Sequence, residues 1–243
     1  MKASGKNIVI TGGTSGIGYE LVRALQSDNR VFVIASNGAR LTRLADEFPS
    51  VATCCADLSN PADVEIAAER ALHRFSTIDI LINNAAVQHT PTFLDDAFDA
   101  RTIGPEIGVN FTAVCTLTAL LLPAMMHGGE AAVVNVNSAL GLMPKTRSAV
   151  YCATKAAVNV FSQSLRYQLE GTNVRVMQAF MPLVDTQMTS GRGDGKISPS
   201  EAARALLDGV EKNIEENDIG KVKIVRLLIR FAPPLARRIL KAA

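Results

Sequence analysis

Short runs of β-branched and aliphatic residues alternate along this chain with longer stretches patterned at helical spacing, and that alternation leaves few folds open. The runs at residues 7–11, 30–35, 51–56, 78–83, 131–137 and 174–180 are almost continuously apolar. Strands buried on both faces have that character, whereas a strand with one wet face alternates polar and apolar residues. The stretches between them predict helices. One opens at Gly16, one at Pro61 behind the capping-type Asn60, one covers 107–126 and one covers 149–169. Joined by right-handed crossovers, such units give an α/β fold: a doubly wound parallel sheet with helices on both faces. The 243 residues are 48% hydrophobic and 20% charged, and no Pro/Gly/Ser-rich linker divides them, so a single domain over 1–243 is expected.

A formal net charge of +2 gives no reason to expect nucleic acid as a partner. Cys54, Cys55, Cys115 and Cys152 form no C-x-x-C pair and have no suitably spaced His, so neither a metal site nor a disulfide framework is expected. The N-terminus shows no signal-peptide pattern, and no stretch reaches the roughly 18 uncharged apolar residues of a membrane span. A soluble, cytoplasmic protein is the expectation. Two segments break the rhythm. A loop near 187–198 contains Gly191-Arg192-Gly193-Asp194-Gly195 and is expected to be mobile. The tail over 220–243 is basic and helical in pattern, with no acidic residue and an interruption at Pro233-Pro234. It is expected to fold back on its own domain or on a partner subunit, with membrane contact at anionic lipid as the less favoured alternative.

The first strand runs into Thr11-Gly12-Gly13-Thr14-Ser15-Gly16-Ile17-Gly18, which opens a helix. Glycines there let the backbone approach a pyrophosphate, and the amides of a helix start hold negative charge. The spacing differs from the general G-x-G-x-x-G fingerprint, so its place between strand and helix carries the nucleotide reading. After the second strand stand Ala35, Ser36 and Asn37, with Arg40 a turn further on and no carboxylate. A carboxylate there would select the 2′-hydroxyl of NAD, so NADP(H) is expected over NAD(H), with Ser36, Asn37 and Arg40 near its 2′-phosphate. Arg40 as a solvated helix residue is the plainer alternative. Asp57-Leu58 and Asn83-Asn84-Ala85 end the third and fourth strands, where open α/β sheets bind ligands. Asp57 as a turn cap, and the asparagines as partners of local backbone, remain open.

Tyr151 and Lys155 are one helical turn apart, a spacing with a chemical use. A phenol with a pKa near 10 is a poor base at neutral pH, and an ammonium beside it favours the phenolate. Ser138, closing the fifth strand, can bond a substrate oxygen as charge develops on it. Asn110 is a candidate for a structural or relay role. Leu140, Leu142 and Met143 are candidates for an apolar substrate wall, and His89 follows the turn after the fourth strand.

Taken in register, Thr11–Gly18, Asp57, Asn83-Asn84-Ala85, Asn110, Ser138, Tyr151, Lys155 and the segment 182–186 resemble the short-chain dehydrogenase/reductase family over nearly the whole chain. The segments 120–123, 151–157 and 182–186 look most like its branch named for D-alanine esterification of teichoic acids, a name that specifies no reaction. The resemblance implies a single Rossmann-like domain and an NAD(P)(H)-dependent oxidoreductase acting on a small carbonyl or alcohol. It implies a catalytic tetrad of Asn110, Ser138, Tyr151 and Lys155, with tyrosine as acid/base, lysine lowering its pKa and binding ribose, serine orienting the carbonyl and asparagine holding a relay water. It implies that Gly12, Ser15, Gly16, Ile17 and Gly18 surround the pyrophosphate, Asp57 and Leu58 the adenine, Asn84 and Ala85 the middle of the cofactor. Pro182, Leu183, Val184 and Thr186 are implied near the carboxamide, and a homodimer or homotetramer through the helices near 107–126 and 149–169. This chain departs from the family pattern at Ala86 and Leu183, where glycine is usual, and at Ser36, where NADP-type members carry arginine. Substrate choice is expected to depend on the region after Ser138, on Val87-Gln88-His89 and on the 191–195 loop. A catalytically silent nucleotide-binding regulator or scaffold is the competing expectation.

Overall fold

In the computed structural model, which describes residues 1–241, the apolar runs assemble into one seven-stranded sheet in which every neighbouring pair is parallel. Residues 242 and 243, the end of the predicted domain and of its basic tail, lie outside the described residues. The chain begins β1 (Asn7–Thr11), α1 (Gly16–Leu25), β2 (Arg30–Ala35), α2 (Gly38–Glu47), β3 (Ala52–Cys55), α3 (Pro61–Arg74) and β4 (Ile80–Asn83). It continues with α4 (Ile103–Ile107), a π-helical turn (Gly108–Thr112), α5 (Ala113–Met125), β5 (Ala131–Ser138), α6 (Ala149–Gln168) and β6 (Val174–Met181). After these come α7 (Pro199–Glu211), β7 (Glu216–Asp218), α8 (Val222–Phe231) and α9 (Pro233–Lys241). The order across the sheet is β3-β2-β1-β4-β5-β6-β7, so the winding reverses between β1 and β4.

Alternation along each strand explains why both faces are apolar. Ile8 and Ile10, Val31 and Val33, Ile80 and Ile82 point to a core with Leu21, Leu41 and Leu206 from α1, α2 and α7. Val9, Phe32, Ile34, Leu81 and Val133 point to the other, with Val64, Leu117 and Leu165 from α3, α5 and α6. Helix starts are chemically marked. Asn60 accepts from Ala62 N with Pro61 following, and Ser198 and Glu201 form a reciprocal capping box ahead of α7. Neither α2 nor α7 was among the helices predicted, although the Ser198-Pro199-Ser200-Glu201 signature announces the second. β7 escapes sequence reading because Glu216-Asn217-Asp218 is short and polar, and only its place beside β6 makes it a strand.

The predicted helix over 107–126 is broken. The chain passes from α4 through the π-helical turn before α5 begins, and that turn carries Asn110 inward to full burial. The helical run Ala100–Met125 is long and apolar enough to cross a membrane by length and composition, although no such stretch was expected from the sequence. Here one side of it lies in the domain, burying Ala113, Leu117, Leu121 and Met125.

A buried polar relay ties sheet to helices behind the site. Asn83 Nδ2 donates to Asn135 Oδ1 at 2.9 Å, Asn135 Nδ2 donates to Ser162 Oγ at 2.8 Å, and Ser162 Oγ donates to Val158 O at 2.7 Å. β4, β5 and α6 are thereby held by side chains as well as by packing. Asn135→Ala strips Asn83 and Ser162 of a partner in a dry interior, and is expected to lower unfolding free energy by about 3 kcal/mol in urea denaturation.

Candidate active site

The reversal between β1 and β4 opens a crevice at the carboxyl ends of the strands. There the chain turns sharply after Thr11. Gly12 has φ 68°, and a Cβ on it would stand 2.9 Å from Ala85 Cα. A Cβ on Gly18 would stand 2.1 Å from Gly12 O, so α1 can approach the turn only with glycine at both places. Ser15 makes no side-chain cap and the first turn of α1 holds no acid, which leaves a positive helix end facing the crevice. Across the reversal, Asn84 Nδ2 donates to Thr11 O and Gly12 O at 3.0 and 3.2 Å. Asn84 N and Ala85 N donate to Thr11 Oγ1 at 3.0 and 2.9 Å.

The crevice is a continuous cleft of about 590 Å³. Its far end is formed by Ser36, Asn37, Arg40, Asp57 and Leu58, its middle by Gly12, Ser15, Gly16, Ile17, Gly18, Asn84 and Ala85. Ser138, Tyr151, Lys155, Pro182, Val184 and Thr186 close the near end. At the far end, Asn37 caps α2 by accepting from Arg40 N at 2.9 Å, and Arg40 Nη2 donates to Gln187 Oε1 at 2.9 Å. Asp57 Oδ1 accepts from Ser59 N and Ser59 Oγ at 2.9 and 2.8 Å, so it caps a turn while lining the cleft.

At the near end, β5 delivers Ser138 and α6 delivers Tyr151 and Lys155 from the same helix face. Lys155 Nζ donates to Val136 O at 2.9 Å and lies 5.7 Å from the centre of the Tyr151 ring. Burial pushes the Tyr151 phenol up to about 12, while the nearby Ser138 hydroxyl works the other way. Burial also lowers the Lys155 ammonium to about 8. Each group is thus driven toward its neutral form.

Two of the predicted site residues do not reach the cleft. Asn110 is fully buried, its Oδ1 accepting from Val87 N at 2.8 Å and its Nδ2 donating to Val87 O and Thr154 Oγ1 at 2.8 and 3.2 Å. Its carboxamide clamps the turn after β4 to α6. Leu183 turns its side chain to the surface, and its carbonyl accepts from Ile197 N. Among the described residues only Ser148 and Asn213 are non-glycines with positive φ, so Leu183 occupies ordinary backbone where the family pattern has glycine.

Gln187 and Val136 matter here and were not foreseen, and Thr11 was named in the glycine motif without a role of its own. Thr11 sits one residue before the glycine turn, a position from which a hydroxyl role could be read, whereas Val136 acts through its carbonyl and Gln187 through a contact distant in sequence. Gln88 and the 191–195 loop do meet: Arg192 Nη1 donates to Gln88 Oε1 at 2.8 Å, and Gln88 Nε2 donates to Ser148 Oγ at 3.1 Å. Leu140, Leu142 and Met143 are half-buried beyond Ser138, outside the cleft lining.

Known proteins share this arrangement. Residues 6–196 match the sequence profile described as short chain dehydrogenase. The uncharacterized oxidoreductase DltE of Bacillus subtilis is 35% identical over 89% of this chain and 88% of its own length. An L-xylulose reductase of Bos taurus is 31% identical over 86% of this chain and 83% of its own. A short chain dehydrogenase of Burkholderia cenocepacia J2315, solved in complex with NADP, superposes with a TM-score of 0.88 at 26% identity, covering 99% of both chains. The profile spans most of the domain and the relatives exceed 30% identity along nearly all of it, so the chain belongs to the short-chain dehydrogenase family of NAD(P)-dependent oxidoreductases.

Proposed function

We propose that this chain transfers hydride between a nicotinamide cofactor, NADP(H) in preference to NAD(H), and a small, fairly apolar carbonyl or secondary alcohol. The observation that carries the reading is that Tyr151, Ser138 and Lys155 at the near end share one cleft with the glycine turn in its middle. The residues present fit a dinucleotide: a positive helix end stands at a turn where Gly12 and Gly18 leave room for no Cβ.

When bound, the nicotinamide supplies or accepts the hydride. Tyr151 Oη donates the proton that a carbonyl oxygen gains on reduction, and takes it back on oxidation. A phenol held at about 12 keeps its proton at neutral pH, which suits the reductive direction. Ser138 Oγ bonds the substrate oxygen where negative charge develops. Lys155 spends one N–H on Val136 O and has the rest for the ribose hydroxyls. Asn110, its carboxamide committed to Val87 and Thr154, is a positioning residue for the helix that carries Tyr151 and Lys155. At the far end no acid follows β2, and Ser36, Asn37 and Arg40 line the wall where a 2′-phosphate would be read. A homodimer or homotetramer through α5 and α6 fits the same reading, since Leu120, Val160 and Tyr167 are exposed on those helices.

Tyr151→Phe is expected to lower carbonyl reduction by about 10³-fold in steady-state assays while NADPH affinity, followed by nucleotide fluorescence, stays within about twofold. Retained turnover would remove Tyr151 from the chemistry, and a wild-type protein that binds without turnover would be a silent binder.

NADPH is expected to bind at least about tenfold more tightly than NADH, with Arg40→Ala removing most of the difference. Equal affinities in the wild type would sink the NADP assignment.

Because Lys155 is lowered to about 8, its ammonium is complete below that pH and lost above it. NADPH affinity should therefore decline as pH rises through about 8, and titration of Lys155→Met should lack that step.

A further inference from the structure

The basic tail has a second apolar face that nothing among the described residues covers. α8 buries Val222 and half-buries Val225 and Ile229 against the domain, and Arg226 is tied to Asp218 and Glu216 at 2.8 and 2.9 Å. On the outward side, Ile224, Leu227 and Phe231 recur at three- and four-residue spacing and are 59%, 57% and 73% exposed. α9 repeats the arrangement, burying Ala236 and exposing Leu235 and Ile239. Single exposed apolar residues are ordinary, but successive amphipathic helices with outward apolar rows are not.

One contact ties the end of α9 to the segment between Ser138 and α6. Thr146 Oγ1, in the segment between Ser138 and α6, donates to Lys241 O at 2.8 Å. Its neighbour Arg147 pairs with Asp95 at 3.2 Å, and beside Asp95 stand Phe93 and Leu94, exposed by 61% and 95%.

We propose that α8 and α9 dock this face on the headgroup layer of an anionic lipid bilayer. Charge selects the occupant. Residues 220–243 include Lys221, Lys223, Arg230, Arg237, Arg238 and Lys241 and contain no acidic residue. Among the described residues, Arg226 is the one cation of the tail in an ion pair. By helical spacing Lys223 and Arg230 line one side of the Ile224, Leu227 and Phe231 row, the pattern of a helix lying in an interface with cations at headgroup level. A two-fold contact through the same face would press like charge on like, whereas anionic lipid supplies the missing sign. The proposal concerns a surface and does not depend on the reaction assigned to the cleft.

The test is flotation of the full-length protein with phosphatidylcholine vesicles, with and without about one third phosphatidylglycerol. Binding is expected only to the anionic vesicles, with release at about 0.5 M salt. The double substitutions Leu227→Ser with Phe231→Ser, and Lys223→Gln with Arg230→Gln, should each lower partitioning by roughly tenfold with an unchanged unfolding temperature. No binding to anionic vesicles, or binding that the Leu227→Ser/Phe231→Ser protein retains in full, overturns the proposal. So does a protein that ignores vesicles but drops to a smaller oligomer by light scattering in that variant, which would assign the face to a second copy.

Discussion

Everything at the site hangs on one hinge between the halves of the sheet. β1 and β4 are neighbours, yet the chain leaves them for opposite sides, so no helix covers the gap at their carboxyl ends. The Thr11 hydroxyl and the Asn84 carboxamide close the backbone across that gap. Without those bonds the turn at Gly12 and the strand end at Ala85 would be loose polar backbone in a half-dry crevice, at a cost of about 1–3 kcal/mol for each group left unpartnered. The same bonds bring the cradle and the wall of the cleft to fixed separation. Binding and chemistry therefore share one rigid support rather than two mobile ones.

Burial at the near end works for proton transfer and against charge. Tyr151 and Lys155 are nearly buried at the cleft wall, and both are shifted toward neutrality. That environment strengthens any hydrogen bond to a reacting oxygen. Its cost is carried by a few fixed polar partners, among them the Val136 carbonyl, and by the clamp Asn110 makes between Val87 and Thr154.

Fold class and strand positions were legible because period and turn chemistry agree locally, whereas the sharing of one site by the glycine turn, Ser138, Tyr151 and Lys155 was implied by the family resemblance. What was not legible depends on residues far apart. Glu216-Asn217-Asp218 becomes a strand only beside β6, and Gln187 becomes a cleft residue only by meeting Arg40. The break at Gly108–Thr112 is similar in kind: apolar periodicity runs through it, and only packing reveals the extra residue that turns Asn110 inward. Leu183 was implied near the carboxamide by the resemblance, but its side chain has solvent to enter, and ordinary backbone carries it where the family pattern has glycine. The outward row on α8 belongs to the same class, since periodicity marked apolar positions without saying which of two faces meets the domain.

The staple between Thr11 and Asn84 also sets an order in time. Its partners are 73 residues apart, and Asn7 is likewise bonded to Thr77 from 70 residues away. On a ribosome the glycine turn emerges long before the strand that holds it, with three crossovers still to be made. Parallel pairing of this span closes late and slowly, because loop entropy must be met before the contact forms. The motif most visible in the sequence is thus among the later parts of the molecule to acquire its shape, and a chain halted before Asn84 carries the nucleotide signature without the cradle.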